Sequence, residues 1–473
     1  MKIALVRPPY SSLYQLIKMK TKERSVLPPT GLMYVASSLI NTGHNVKIID
    51  AEIDDLGLPQ IMKEIVEFKP DVVGTGATTP DFGLANRILK RVKDASDETT
   101  TIIGGAHPTV LPAEVLSENK HIDFVVRYEG EITTTELIDA LENGKDVKNI
   151  KGISYRKRDG EIEHNPNREL VDVDKIPWPA RDLIDQKKYV YPSPGKGLCS
   201  MTTIQTCRGC PYQCAFCYRM FGHKVRFRTP KLVVDEIEHC VNNYHVKFIY
   251  FVDDTFTFNR RRTIELCDEI LHRGIVVSWF CLTRADTLDT ELLFKMKKAG
   301  CVKISMGVES GNQRILDDVN KGTTLQQYKK GYKLLKSFGF ETRGSFILGL
   351  PYETRETIMQ TINFAKELNL DRAFFHIFTP YPGTELHEKA LNGQGLRLIE
   401  KNWREFKRWG NAVVELEKIT REELIELQKE AMTKFYVRPK IILYHIEQIL
   451  RGQRSAFYYR PLWYAMKHFL HLD

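Results

Sequence analysis

Short apolar runs alternate with amphipathic stretches over the first 145 residues. The apolar runs are too short for helices and predict strands, whereas Gly31–Asn41 and Phe82–Ala95 carry apolar residues at helical spacing. This alternation predicts a doubly wound parallel α/β sheet over residues 1–145. Its predicted strands are Lys2–Val6, Asn45–Ile49, Asp71–Gly74, Thr100–Ile103 and Ile122–Val126.

The alternation of strands and helices is interrupted over residues 146–199. Ile153–His164 has the pattern of a hairpin that turns at Asp159-Gly160. A proline-punctuated stretch follows and ends near Gly195, which is typical of a connection between domains. We therefore expect a hairpin and a linker here.

Strand–helix alternation resumes over residues 200–385 and predicts a partial, TIM-like barrel of six units, with active residues at the carboxyl ends of the strands. Residues 386–473 have an irregular helical pattern and predict a helical C-terminal region. The six predicted strands are Thr202–Thr206, Phe248–Val252, Val276–Cys281, Lys303–Gly307, Thr342–Leu348 and Arg372–Phe378.

Composition fits a globular protein of two or three domains. The chain has 473 residues, of which 42% are hydrophobic and 27% charged. The apolar run after Met1 is too short for a signal peptide, and no uncharged apolar stretch could span a bilayer. We expect a cytoplasmic protein whose nine cysteines stay thiols or metal ligands.

Three cysteines form the sharpest motif. Cys210, Cys214 and Cys217 follow a predicted strand at C-x3-C-x2-C spacing. Thiolates at this spacing suit an iron–sulfur cluster or zinc, but a structural zinc would need a fourth ligand, and the nearest histidine is His223. Three protein ligands would leave one iron of a 4Fe–4S cluster open. Cys207 is also near, and we interpret it as a bystander.

This loop resembles the cluster-binding signature of the radical S-adenosylmethionine (SAM) superfamily. The resemblance implies a 4Fe–4S cluster on the three cysteines and SAM on the open iron. Each further position has a structural alternative, because strand-end acids often cap helices, an arginine can form a surface ion pair and Gly349-Leu350-Pro351 can be a turn. The implied SAM-binding residues are Phe216, Asp253, Asp254, Arg284, Glu309, Ser310 and Gly349.

The N-terminal domain lacks the glycine fingerprint of a dinucleotide site, since Arg7-Pro8-Pro9-Tyr10 follows the first strand. It resembles the cobalamin-binding module that precedes many radical SAM enzymes. No D-x-H-x-x-G motif is present, so we expect no histidine on cobalt and interpret His107 as a loop residue; loss of cobalamin stays open. The implied cobalamin contacts are Pro29, Gly31, Thr75, Thr78, Gly104, Gly105, Gly130 and Glu131.

This domain order resembles the cobalamin-dependent radical SAM class. The resemblance implies that the reduced cluster cleaves SAM to a 5′-deoxyadenosyl radical, and that methylcobalamin then methylates an unactivated carbon. Oxidative cyclisation is the alternative, because the barrel also resembles the anaerobic magnesium-protoporphyrin monomethyl ester cyclase. A non-catalytic corrinoid carrier or sensor is a second alternative, although it would not need the three cysteines.

Partners follow from the same reasoning. We expect a small-molecule or lipid-like substrate and a reductant such as flavodoxin or ferredoxin. Aromatic and basic residues interleave between Tyr436 and Tyr464, which fits either a cap over the barrel or an amphipathic segment in peripheral contact with a membrane. No nucleic-acid partner is expected, because no recognised RNA-binding motif accompanies these residues.

Overall fold

The computed structural model describes residues 1–9, 26–194, 196–450 and 462–467. Two compact units make up this part of the chain. Among the described residues, the first unit holds residues 1–9, Val26–Lys188 and Asn402–Arg404. The second holds the described residues of Tyr189–Lys401 and those from Glu405 onward.

The first unit is built on a seven-stranded sheet in the order β2-β1-β3-β4-β5-β6-β7. Its first five strands run parallel and confirm the predicted strands, with small shifts at their ends. They are β1 (Lys2–Arg7), β2 (Asn45–Asp50), β3 (Val72–Gly76), β4 (Thr100–Gly104) and β5 (Phe124–Val126). The helices are α1 (Thr30–Asn41), α2 (Leu58–Phe68), α3 (Phe82–Ala95), α4 (Ala106–Val110), α5 (Pro112–Glu118) and α6 (Gly130–Glu142).

Both faces of this sheet are buried, which explains its continuous apolar strands. In β1, Ala4 and Val6 pack into one core cluster, whereas Ile3 and Leu5 pack into the other. The strand order reverses between β1 and β3, and in open α/β sheets ligands bind outside the carboxyl ends of the strands at such a switch point.

The hairpin predicted at residues 153–164 is confirmed as β6 (Ile153–Arg156) and β7 (Ile162–His164). It does not stand apart as a linker, because β6 pairs antiparallel with β5 and extends the first sheet. The proline-punctuated stretch likewise contributes a strand, β8 (Val190–Ser193), to the second unit.

The second unit contains an open sheet in the order β16-β15-β14-β13-β12-β9-β8. Six strands run parallel, as predicted, and β8 is antiparallel to β9. The six are β9 (Gly197–Ile204), β12 (Phe248–Phe251), β13 (Ser278–Thr283), β14 (Cys301–Glu309), β15 (Glu341–Leu348) and β16 (Arg372–Ile377). A short ribbon, β10 (Cys207–Arg208) with β11 (Arg226–Phe227), follows β9.

Helices connect the strands of this sheet. They are α7 (Pro230–Tyr244), α8 (Arg260–His272), α9 (Thr290–Lys298), α10 (Gln313–Asp318), α11 (Leu325–Ser337) and α12 (Arg355–Glu367). The C-terminal region continues with α13 (Glu385–Leu391), the pair β17 (Arg397–Leu398) and β18 (Val414–Glu415), α14 (Arg421–Tyr436) and α15 (Pro439–Leu450).

Among the described residues, no helix is long and apolar enough to cross a bilayer. The tail predicted to interleave aromatic and basic residues is described only in part. Arg451, Arg454, Phe457, Tyr458, Tyr459 and Arg460 lie outside the described residues.

Candidate functional site

The three-cysteine loop is held at its base by the β10–β11 ribbon. Cys207 pairs with Phe227, so the loop leaves and re-enters the fold at one place. Gly209 has a φ of +100°, and a Cβ there would lie 2.5 Å from the carbonyl oxygen of Lys224. Glycine is therefore required where the loop folds back on itself, next to the hydrogen bond from the Cys210 amide to Gly222.

Asp253, at the end of β12, anchors the start of this loop. Its carboxylate accepts hydrogen bonds from the Thr206 amide (2.7 Å), the Thr206 hydroxyl (2.7 Å) and the Cys207 amide (2.9 Å). Burial raises the pKa of Asp253, which these bonds and the charge of Arg262 oppose. Because its oxygens are used in this way, Asp253 is placed to fix the loop from below.

Arg262 of α8 completes the support. Its guanidinium donates to the Thr206 carbonyl (2.9 Å), the Thr206 hydroxyl (3.1 Å) and the Arg228 carbonyl (2.7 and 3.0 Å). The side chain is buried and also lies over the Phe227 ring, 5.2 Å from its centroid. The planar Arg262 guanidinium, through its several N–H donors, thus links both ends of the cysteine loop.

The three thiols lie within electrostatic range of one another. Burial raises the pKa of Cys210, and the charges of Asp254 and Cys214 act in the same direction. Burial and the neighbouring Cys214 raise the pKa of Cys217 to about 12, although part of Cys217 is exposed. Burial also raises the pKa of Cys207; the charges of Asp253 and Asp254 act in the same direction, and Arg262 opposes them. The interpretation of Cys207 as a bystander stays a prediction.

The three cysteines do not form a compact group of the kind that holds a single ion. Four thiolates around a tetrahedral zinc would lie about 3.8 Å apart. In the described part of the chain, the group of three metal-ligating side chains with all ligand atoms within 4.8 Å is His44, Asp139 and Glu142, and not the cysteines. The cysteine loop is thus more open than a mononuclear site requires, and its soft donors suit iron–sulfur.

Asp254 and Arg284 approach this loop from β12 and β13. The charge of Asp254 contributes to the raised pKa of both Cys210 and Cys217, so this exposed carboxylate lies within electrostatic range of the thiols. Arg284 is buried, donates to the Lys321 carbonyl (2.9 Å) and pairs with Asp286 (3.0 Å). Its guanidinium also stacks on the Tyr212 ring of the loop, 3.6 Å from the centroid.

Glu309, at the end of β14, belongs to the same group of side chains. It has a left-handed backbone (φ +67°) and pairs with Lys321 at 2.8 Å. The Lys321 ammonium also lies 5.7 Å from the Phe216 ring centroid. Ser310 points elsewhere, because its fully buried hydroxyl contacts Thr361 of α12 at 3.2 Å. Glu309 is thus the better placed of the two to reach a ligand.

Gly349 directly follows β15 and has a left-handed conformation, with φ of +91°. A Cβ there would lie 3.1 Å from Leu424 of α14, so the backbone comes close to that helix. The amides of Gly349 (2.7 Å) and Leu350 (3.0 Å) donate to one oxygen of Glu353. Burial raises the pKa of Glu353 to about 8.

The residues predicted for cobalamin lie at the carboxyl edge of the first sheet and the helix starts beside it. A Cβ on Gly31 would meet no atom within 4 Å, which leaves open space at the start of α1, after Pro29. Gly105 has a φ of +96°, and a Cβ there would lie 2.6 Å from the Ala77 carbonyl oxygen. This close approach of backbone to backbone keeps the edge free of side chains, as a bulky corrin would require.

The other predicted contacts surround these two. Thr75 is buried in β3, whereas Thr78 is exposed just beyond it. Gly104 ends β4, and Gly130 and Glu131 begin α6, with Glu131 buried. The small residues at this edge and the switch point of the sheet therefore fit a bound cobalamin.

His107 lies in a packed setting. Its ring is 4.4 Å from Phe82 and 5.2 Å from Trp403 between centroids, and its Nδ1 lies 3.3 Å from the Thr79 hydroxyl. Burial lowers the pKa of His107 to about 4. His107 lies within the short helix α4 and not in a loop, so that part of the prediction is wrong. Its enclosure by aromatic rings is compatible with a structural role.

Four residues of these surroundings were not singled out by the sequence: Tyr212, Arg262, Lys321 and Glu353. Only Tyr212 lies within the cysteine motif. The others act through contacts between distant segments, and nothing local in the sequence marks a lysine or an arginine as buried.

Comparison with known proteins agrees with this geometry. The radical SAM superfamily matches residues 204–365, and the B12 binding domain matches residues 19–138. An uncharacterized methyltransferase of Pyrococcus horikoshii is 38% identical over 97% of this chain and 99% of its own length. The anaerobic magnesium-protoporphyrin IX monomethyl ester cyclase of Rubrivivax gelatinosus is 36% identical over 76% of this chain and 66% of its own length.

A solved structure extends the likeness to the fold. The radical SAM methyltransferase TsrM of Kitasatospora setae, with cobalamin and a 4Fe–4S cluster bound, superposes with a TM-score of 0.70 over 93% of this chain and 89% of its own, at 18% identity. The two domain matches make the cofactors of this enzyme a 4Fe–4S cluster, SAM and cobalamin, as the sequence predicted. The chain belongs to the radical SAM superfamily, in the group whose members carry a B12-binding domain ahead of the barrel.

Proposed function

We propose that this enzyme transfers a methyl group from cobalamin to an unactivated carbon of a small-molecule substrate. The observation that carries the proposal is the grouping of Asp254, Arg284 and the Glu309–Lys321 pair around the three-cysteine loop. The methyltransferase of Pyrococcus horikoshii, similar over nearly its whole length, supports methyl transfer as the outcome.

When bound, the cluster and SAM supply the electron and the radical, and cobalamin supplies the methyl group. Cys210, Cys214 and Cys217 would each hold one iron. Asp254 lies within electrostatic range of these thiols and would accept hydrogen bonds from an ammonium group of SAM. Arg284, oriented by Asp286 and the Tyr212 ring, would bind its carboxylate.

Glu309 and Phe216 would complete SAM binding on the other side of the loop. The Lys321 ammonium orients the Glu309 carboxylate, so that one of its oxygens would accept from a ribose hydroxyl. Phe216 would flank the adenine, and the Gly349 backbone would border it. Asp253 and Ser310 are assigned to positioning, because their polar atoms bind the loop and α12.

In the first unit, the proposed cobalamin contacts are the small residues at the carboxyl edge of the sheet, with Gly31 and Gly105 central. The cobalt would receive no histidine from this domain, since His107 is enclosed by aromatic rings. A one-electron donor such as flavodoxin or ferredoxin would reduce the cluster. The nine free cysteines support a reducing cytoplasmic setting.

The test is anaerobic reconstitution with iron, sulfide and hydroxocobalamin, followed by dithionite and SAM labelled on its methyl group. A methyltransferase should form labelled methylcobalamin, S-adenosylhomocysteine and 5′-deoxyadenosine. Replacing the three cysteines together by alanine should abolish 5′-deoxyadenosine, whereas Cys207→Ala is the matched control and should retain it. Absence of iron from the reconstituted protein would contradict the assignment of the loop.

Cyclisation is the second candidate, favoured by the 36% identity with the Rubrivivax gelatinosus cyclase. The same experiment separates the two. A cyclase should release 5′-deoxyadenosine without labelled methylcobalamin or S-adenosylhomocysteine, because no methyl group leaves SAM in that reaction.

A further inference from the structure

Helix α15 exposes hydrophobic side chains along one stripe. Leu443, Ile446 and Leu450 are 65%, 46% and 81% exposed. Their spacing of three and four residues places them on the same side of the helix. We call these three residues the outer stripe.

The opposite side of α15 is only partly apolar. It buries Ile441, His445 and Gln448. A surface helix ordinarily turns its apolar stripe to the core and its polar residues to water. Here leucine and isoleucine face outward while histidine and glutamine face inward, so packing of this unit does not account for the outer stripe.

A shallow groove runs beside the outer stripe. Its volume is about 710 Å³, and Leu370, Ile441 and Tyr444 contribute to its walls together with the stripe itself. Asp371, Lys440 and Glu447 also line it, and Asp371 is paired with Lys336. The apolar surface is therefore broader than three isolated side chains, and contiguous apolar surface of this kind marks an interaction site.

The charge of this region selects the partner. From residue 437 onward the sequence has six lysines and arginines, but its acids are only Glu447 and Asp473. Aromatic residues of the type found at membrane interfaces accompany them, such as Tyr444 and the 59% exposed Trp463. The six basic residues are Arg438, Lys440, Arg451, Arg454, Arg460 and Lys467.

We propose that the outer stripe of α15 inserts into the surface of an anionic lipid bilayer. An apolar helix face within a basic stretch of sequence is the pattern of a helix that lies in the headgroup region, and basic residues are attracted to anionic lipids. Of the six basic residues, the structure describes Arg438, Lys440 and Lys467. A second copy of this chain would bring the same basic region against itself, which repulsion opposes. α15 is also too short to span a bilayer.

Vesicle flotation with the full-length, anaerobically reconstituted protein tests this proposal. The protein should float with vesicles of phosphatidylcholine and phosphatidylglycerol at low salt, less at high salt, and not with phosphatidylcholine alone. The variant L443Q/I446Q/L450Q should bind at least about tenfold more weakly, because its apolar surface no longer enters the lipid. V276Q is the matched control, since Val276 is 85% exposed elsewhere in the same unit, and it should bind like the wild type.

Three results would overturn the proposal: absence of wild-type flotation on the anionic vesicles, equal binding by the triple variant, or equal loss of binding in V276Q. A dimer in light scattering that the triple variant alone abolishes would assign the stripe to a second copy instead. Iron content and circular dichroism must match the wild type. If the triple variant does not match the wild type in iron content and circular dichroism, the single variant L450Q replaces it in the test. L450Q should bind the anionic vesicles about threefold more weakly, or weaker still.

Discussion

Glu353 provides a quantitative test of the environment at the end of β15. One of its oxygens accepts from the Gly349 and Leu350 amides, and the other has no hydrogen-bond partner among the described residues. Burial raises its pKa from 4.5 to about 8, although the two amides act in the opposite direction. Glu353→Gln keeps a carbonyl acceptor for both amides and removes the titration.

The direction in which stability changes with pH follows from proton binding to Glu353. Between pH 4.5 and 8 the folded protein retains a proton on Glu353 that the unfolded chain releases, so the stability of the wild type falls as pH rises through this window. Each pH unit within it is worth about 1.4 kcal/mol. From pH 5 to pH 7 the wild type should therefore lose about 3 kcal/mol relative to Glu353→Gln.

The assay is paired urea unfolding of wild type and variant under anaerobic conditions at several pH values. The buried amide nitrogen that the substitution introduces adds a cost that does not depend on pH, so the slope of the difference, and not its absolute value, is the measurement. Infrared spectra give an independent readout, because the protonated carboxyl band of wild type minus variant should titrate near pH 8. A difference that is flat from pH 5 to pH 8, with no such band at pH 6, would refute the reasoning.

Three further predictions concern buried groups of the second unit. Cys207→Ala should retain the iron content and cluster absorbance of the wild type; loss of both would make Cys207 a ligand. Arg262→Met should lower the free energy of unfolding by about 3 kcal/mol and reduce iron content, because buried acceptors on Thr206 and Arg228 lose their donors. Arg262→Lys should recover part of the stability and part of the iron content. Unchanged iron binding in Arg262→Met would contradict the role of Arg262 in supporting the cysteine loop. Burial raises the pKa of Glu341, but surrounding lysine and arginine side chains outweigh burial and lower the pKa to about 2. The contribution of the Glu341 carboxylate to stability should therefore be lost as pH falls from 4.5 towards 2. Acid unfolding of Glu341→Gln should lack this loss of stability between pH 4.5 and 2.

The strands could be predicted because their signal is local. The first sheet buries both faces, so most of its strands are apolar runs that the sequence displays directly. The strands of the second sheet also bury charged residues, such as Lys303 and Arg343, and were recognised from their alternation with helices. The strand ends were less accurate, and β9 begins at Gly197, before the predicted Thr202, because antiparallel pairing with β8 extends it. β8 lies only a short way before β9 along the chain, but its proline led the sequence analysis to assign that stretch to a linker.

The site was predictable to the extent that its residues share a strand-end position. The cysteine spacing and the acids after β12 stand out in the sequence. What the pattern could not separate was the role of neighbouring side chains. The Asp253 carboxylate binds the loop, whereas the exposed Asp254 carboxylate lies within electrostatic range of the thiols. Glu309 pairs with Lys321, whereas the Ser310 hydroxyl contacts Thr361 of α12. These choices depend on backbone twist at single residues, such as the left-handed Glu309.

The short segment Asn402–Arg404 limits how far this protein can be treated as modular. It belongs to the first unit although the residues on both sides of it belong to the second, and its Trp403 covers the His107 ring and the core around Phe82. A gene fragment cut after Lys188 would leave that core uncovered. Exchange of the corrinoid module between relatives would therefore have to carry this distant tripeptide with it, or replace it.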